Sequence, residues 1–237
     1  MFRTLLTSTR QLAKSALGIA PQVPLEEAAY RRLKLKGYQP RAVIDIGAYH
    51  GDWTRMVHRV FGSVPTLMVE AQPRRGAILQ QTCRDLEDVR YVSAVLTGRA
   101  GESVTFYEME TGSSLLPERS NAARRSDTLV SDTLDNVATD MAGPLFLKID
   151  VQGAELQILA GGEATLRCAD LVQLEVAVLP YNEGAPTMLE VLSFMNERGF
   201  HPYDISGLTR PTGDDLAQID MLFTRMDSPL RPSKFVF

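Results

Sequence analysis

Three carboxylates stand where apolar runs of the chain end, and their chemistry depends on what those runs present. Residues 42–53 read AVIDIGAYHGDW, an apolar run carrying Asp45, followed by Gly47 and Gly51 at a spacing of four. Residues 66–69, TLMV, end in Glu70, and residues 145–149, LFLKI, end in Asp150. Short apolar runs bounded by turn residues read as buried strands. Asp52 and the residues after it read as a helix opening on an acid. The first stretch is therefore a strand, a glycine turn and a helix N-terminus. In open α/β sheets, ligands bind outside the carboxyl ends of such strands. Gly47 lets the backbone take a positive φ and approach a ligand closely.

Charge and spacing narrow the ligand. Gly47-Ala48-Tyr49-His50-Gly51 is neither the G-x-G-x-x-G of a dinucleotide turn nor a phosphate loop ending in Gly-Lys-Ser/Thr. An acid at Asp45 repels phosphate and suits an ammonium group. A carboxylate closing the second strand, as Glu70 does, accepts hydrogen bonds from ribose hydroxyls. Both acids suit a cationic nucleoside, S-adenosylmethionine. Another nucleotide of a doubly wound sheet, or a purely structural strand–turn–helix, stays open on these residues alone.

The elements that must carry these groups alternate. A helix is expected over 25–36, stopped by Gly37, and another from Asp52 to about Val60. Pro73 starts a helix where its missing N–H costs nothing. Strands are expected over 89–95, 103–108, 128–132, 171–176, 200–205 and 220–224, with helices over 155–160 and 187–198. Such alternation predicts an α/β doubly wound, mostly parallel sheet with helices on both faces. The final pair, joined by a loop at 206–215, suggests an antiparallel last strand. Residues 1–37 form an N-terminal helical segment and 38–237 the main domain.

With 237 residues, 44% of them hydrophobic, the chain can bury one sizeable α/β core. A net charge of -4 gives no reason to expect a nucleic-acid partner. Cys83 and Cys168 stand far apart and read as buried thiols of a reducing cytoplasm, so a cytoplasmic location is expected. No run is long and apolar enough to span a membrane. Residues 1–20 carry Arg3, Arg10 and Lys14 among leucines, as a transit peptide or surface helix would. The expectation is instead a helix packed on the domain or on a second copy, with membrane association not expected and a homodimer open.

The ordered strings VIDIGAYHGDWT, VEAQP, SAVLTGRAGESVTFYEMETGSSLL, SDTLD and KIDVQGAELQILAG together resemble the FkbM family of S-adenosylmethionine-dependent methyltransferases. The resemblance runs from about Val43 to Phe223. It implies a Rossmann-like class I methyltransferase fold with a seven-stranded sheet, and O-methylation of a sugar, polyketide or other small metabolite bearing a hydroxyl. It implies that Asp45, Gly47 and Gly51 face the methionine part of the donor. Glu70 would bind the ribose, Gln72 and Pro73 would lie beside the adenosine, and Ser93 and Ala94 at the adenine edge. Asp150 would stand beside the methyl group, and Gly112, Ser113 and Ser114 near the site mouth. Many members carry Asn where this chain has Tyr49 or His50, which brings a ring and a titratable group to the donor turn.

An alcohol is a poor acid, so its methylation needs a base or a metal. Asp150 is the first candidate base, with His50 and Glu175 as alternatives; an N-cap or a donor contact explains Asp150 as well. Asp150, Glu155 and Glu175 have the oxygens a divalent cation prefers, but no compact ligand motif, so a metal is not expected. His58 and His201 read as structural. Lys148 shares a strand face with Asp150 and is positioned to pair with it. Arg119, Arg124 and Arg125 suit an acidic acceptor or a solvated loop. Residues 111–125, 179–186 and 206–215 are expected to wall the acceptor, with Tyr181, Asn182 and Glu183 as contacts. A non-catalytic nucleotide-binding or scaffold protein is the competing reading, and a dehydrogenase is disfavoured by the glycine spacing.

Overall fold

The computed structural model describes residues 24–108, 113–117, 125–179 and 182–233. Its centre is the pair β1 (Ala42–Ile46) and β7 (Leu145–Ile149), each buried along its whole length. Strands buried on both faces need helices on both faces, which is why AVIDI and LFLKI are almost continuously apolar. The chain begins with α1 (Leu25–Leu35), then β1, α2 (Asp52–Phe61), β2 (Thr66–Glu70) and a 3-10 turn at Pro73–Arg75. Next come α3 (Gly76–Asp85), β3 (Val89–Ser93), β4 (Val95–Leu96), β5 (Ser103–Glu108), β6 (Arg125–Asp132), α4 (Leu134–Val137) and β7. It closes with α5 (Glu155–Ala160), α6 (Glu163–Cys168), β8 (Ala169–Ala177), α7 (Met188–Glu197), β9 (Phe200–Thr209) and β10 (Gln218–Arg225).

Seven strands form one sheet in the order β3-β2-β1-β7-β8-β10-β9. The pairs from β3 to β8 are parallel, while β10 runs antiparallel to both β8 and β9. This is the Rossmann-like class I methyltransferase arrangement. The order reverses at β1, so the carboxyl ends of β1, β2 and β7 open on one crevice.

Two apolar layers cover the sheet. On one face, Tyr30 of α1 and Trp53 of α2 pack on Phe146 at ring separations of 5.4 Å each. Val43, Leu171 and Leu222 complete that layer. Opposite them, Leu134, Ile158, Leu159, Leu166, Val191 and Met195 pack on Ile44, Leu147 and Val172. Thr187 caps α7 in a reciprocal capping box with Glu190, which satisfies backbone donors that the helix leaves open.

Several expectations need correction. The strand expected over 89–95 is two: β3 ends at Ser93, and Val95 joins a separate three-stranded sheet, β4-β6-β5. Residues 206–209, expected in a loop, continue β9, whose bulged register against β10 extends the hairpin. Helix α6 was not foreseen. Cys168 is exposed rather than buried, at the end of α6, because the helix stops before β8 turns into the core. Residues 1–23, with the basic N-terminal segment, lie outside the described residues.

Candidate functional site

Gly47 leaves β1 with φ +79°, and Tyr49 follows at φ 48°. The turn lies so close to the end of β7 that a Cβ on residue 47 would sit 1.9 Å from the backbone oxygen of Asp150. Gly51, at φ +76°, then begins α2. The turn is stitched to β2: the N–H groups of Gly47 and Ala48 donate to the Val69 carbonyl at 3.0 and 3.2 Å.

Glu70 is the second fixed point. Its Oε2 accepts from the Tyr49 N–H at 2.9 Å and its Oε1 from the Gln72 N–H at 2.8 Å. Burial pushes this carboxyl above its ordinary range, while the two N–H donors and Lys148 pull the other way. A carboxylate clasped by backbone donors at a strand end is pre-oriented, with a further lone pair on each oxygen for a ligand. The adjoining cleft is lined by Gly47, Tyr49, Glu70, Gln72, Ala94 and Asp150, with Leu96, Phe106, Ser113, Ser114 and Gln152. Ser114 Oγ donates to the Gln152 carbonyl at 2.8 Å and Asn182 Nδ2 donates to the same oxygen at 2.7 Å. The loop at 113–117 and the segment after β8 are thereby tied to the end of β7.

Asp45 meets an ammonium group, but one supplied by the chain itself. Its carboxylate is fully buried, takes a hydrogen bond from Thr54 Oγ1 at 2.8 Å and pairs with Lys148 Nζ at 3.2 Å. Lys148 Nζ also lies 3.4 Å from Asp150 Oδ2. Burial disfavours that ammonium, but Asp45 and Asp150 outweigh the effect and hold its pKa above the ordinary value.

The structure therefore brings Gly47, Tyr49, Glu70, Gln72, Ala94 and Asp150 to one cleft and leaves other candidates aside. Gly51 shapes the turn without lining the cleft. Ser93 is exposed, just before Ala94. His50 stacks on Tyr49 with ring centroids 3.9 Å apart and its Nε2 lies 2.7 Å from Arg75 Nη1, off the cleft wall. His58 is half-buried in α2 with its Nε2 3.0 Å from Thr66 Oγ1, and burial lowers its pKa. Arg125 lies in β6 beside Asp127, and Glu183 is exposed. Gly112, Arg119, Arg124 and Tyr181 lie outside the described residues.

Three further acids surround Asp150. Both oxygens of Glu175 lie within 2.8 and 2.9 Å of Gln152 Nε2. Burial, reinforced by Asp150, raises the Glu175 carboxyl well above its ordinary value. Burial pushes Asp220, across the β8–β10 pair, up to about 7, again with Asp150 adding to the effect. Glu155 is buried, and accepts the N–H groups of Gly153 at 3.0 Å and Val151 at 3.3 Å. Among the described residues no group of three or more His, Cys, Asp or Glu is arranged to hold a metal ion. Gln152 and Asp220 were missed by the sequence reading. Gln152 takes part through a φ of 60°, and Asp220 through strand pairing, neither of which local composition signals.

Glu155 gives a testable pH dependence. Burial raises its carboxyl to about 7 from 4.5. The folded protein thus binds this proton more tightly than the unfolded chain. The stabilisation is complete below pH 4.5 and is lost as pH rises through about 7, and Asp220 acts in the same sense. Urea unfolding at pH 5 and pH 8 is expected to show wild type losing on the order of 1–3 kcal/mol more than Glu155→Gln over that interval. Equal losses would show that Glu155 is not the titrating group.

The sequence pattern described as Methyltransferase FkbM domain matches residues 45–202, well over half of the chain. No protein of curated function matches by sequence. Among solved structures, the chain is similar to magnesium protoporphyrin IX methyltransferase from Synechocystis with bound S-adenosylmethionine, at 11% identity and a TM-score of 0.49, over 84% of this chain and 77% of that one. It is likewise similar to 1,6-didemethyltoxoflavin-N1-methyltransferase from Burkholderia thailandensis, at 15% identity and a TM-score of 0.45, over 95% and 89% of the two chains. Aeropyrum pernix fibrillarin with bound S-adenosylmethionine is 13% identical, over 83% of this chain and 76% of that one, with a TM-score of 0.47. At these identities the family match alone carries the assignment.

Proposed function

Because the chain belongs to the FkbM family of S-adenosylmethionine-dependent methyltransferases, we propose that it methylates a hydroxyl oxygen of a small acceptor, a sugar, polyketide or related metabolite. One observation carries the reading: a buried carboxylate clasped by two backbone N–H groups, Glu70, and a partly exposed one, Asp150, line the same cleft. Glu70 holds the ribose hydroxyls. Gln72 and Ala94 flank the adenosine, with Pro73 and Ser93 adjoining them in the chain. Gly47 and Tyr49 face the methionine part, while Asp45 and Gly51 shape the turn beneath it.

The donor supplies an activated methyl group when bound. The remaining work belongs to the chain: aligning an acceptor hydroxyl and removing its proton. Asp150 takes that proton, since its carboxylate is 39% exposed and lines the cleft. Burial raises the Glu175 carboxyl well above its ordinary value, and both its oxygens are taken up by Gln152 Nε2. His50 is engaged with Tyr49 and Arg75. Ser113 and Ser114 line the cleft where an acceptor wall is needed, Asn182 braces that wall through the Gln152 carbonyl, and polar groups there suit a hydroxylated molecule.

Calorimetric titration with S-adenosylmethionine and S-adenosylhomocysteine tests the donor site. Wild type is expected to bind in the micromolar range, and Glu70→Ala about 100-fold more weakly, since hydrogen bonds to a charged acceptor are worth about 1.5–3 kcal/mol each. Unchanged affinity in the variant would remove Glu70 from the donor site. Release of S-adenosylhomocysteine across hydroxyl, amine and activated-carbon acceptors tests the rest. Turnover confined to amines or carbon would overturn O-methylation.

A further inference from the structure

Lys148 is a buried cation that joins two parts of the site far apart in sequence. Its side chain is 6% exposed, and Nζ reaches Asp45 Oδ1 at 3.2 Å, the Gly47 carbonyl at 3.4 Å and Asp150 Oδ2 at 3.4 Å. Asp45 and Gly47 belong to the donor turn, and Asp150 to the end of β7. The sheet imposes the meeting, because Lys148 is the register partner of Asp45 in the parallel β1–β7 pair. Trp53 closes the space below, its ring centroid 5.5 Å from Nζ. Beneath Trp53, Glu26 of α1 accepts from Trp53 Nε1 at 2.9 Å and Gln173 Nε2 at 2.7 Å, and Gln173 is the next register partner of Lys148.

A buried ammonium is costly to desolvate and persists only where charges compensate it. Compensation by Asp45 alone would suffice for a structural pair. The second carboxylate, Asp150, is the one that lines the cleft. We propose that Lys148 is a positioning residue: it acts through Asp150, cancelling that carboxylate's charge beside the donor and fixing it against the Gly47 turn. The charged groups that face this ammonium are Asp45 from β1, Asp150 from its own strand, Glu26 from α1 and Asp220 from β10, so its removal leaves an uncompensated negative field at the cleft. The proposal rests on the reading of this cleft as the donor site.

The two donor states supply a charge-specific probe. S-adenosylmethionine carries a sulfonium cation, and S-adenosylhomocysteine lacks it. In Lys148→Met the unbalanced Asp150 is expected to shift the affinity ratio toward S-adenosylmethionine by about fivefold, as one added charge in a partly solvated cleft should. Lys148→Arg keeps the wild-type ratio, and Asp150→Asn added to Lys148→Met restores it. If the lone buried Asp45 unfolds the single variant, Asp45→Asn/Lys148→Met removes the pair together; the cluster keeps its wild-type net charge but Asp150 loses its cation, so a shift in the same direction and smaller than about fivefold is expected. Equal weakening of both ligands with an unchanged ratio would overturn the proposal and leave Lys148 a structural residue. Absence of binding by folded wild type would instead overturn the donor site itself.

Discussion

Gly47→Ala is expected to lower stability by about 2–5 kcal/mol and to abolish donor binding in whatever protein remains folded. Two costs add. The residue sits at φ +79°, and a left-handed conformation costs a residue with a Cβ about 1–2 kcal/mol. The new Cβ would also lie 1.9 Å from the Asp150 backbone oxygen. That oxygen cannot move alone, since the Asp150 N–H is bonded to the Ile46 carbonyl at 3.1 Å. Relief requires parting the ends of β1 and β7, the two most buried strands, and forced repacking of this kind costs about 1–3 kcal/mol. Chemical denaturation gives the stability loss and calorimetry the binding. A variant within about 1 kcal/mol of wild type would mean that the turn stands further from β7 than this structure has it.

Asp150→Asn is expected to reduce turnover by about 10²- to 10⁴-fold, the usual contribution of a general base, and to leave S-adenosylhomocysteine affinity within about threefold. The substitution is nearly isosteric and keeps an acceptor oxygen for Lys148, so the fold has little reason to change. The division between kcat and binding carries the information. Loss of turnover with intact product binding is what removal of a proton acceptor produces. Loss of both would make Asp150 a donor ligand. Turnover retained within about tenfold would move the base elsewhere, with Glu175 next in reach. Single-turnover methyl transfer and calorimetry on the same preparation separate these outcomes.

Much of this protein was legible along the chain. Apolar runs ending in Asp45, Glu70 and Asp150, the glycines at 47 and 51, and the alternation of strand and helix were enough to draw the parallel sheet and its crevice. The helix over 187–198 and the start of an element at Pro73 were equally readable, because their signals are complete within a few neighbours. The three-stranded sheet was not, since β4 is two residues long and β6 alternates weakly, with most of its side chains turned to solvent or half-buried.

What Asp45 does was decided only in three dimensions. From the sequence it was an acid suited to an ammonium group on a ligand; in the fold it is taken by Lys148, 103 residues later. His50 was a candidate base by its place in the turn, and packing turned its ring onto Tyr49. Gln152 and Asp220 entered through a left-handed backbone and a strand register. The physical reason is range. Periodicity, caps and turn residues act over a few positions, so the sequence by itself determined the elements and which of their ends face the crevice. Cross-strand register and burial bring together groups separated by a hundred residues. They alone decided which acids are spent on the protein's own cation and which stay open to a ligand.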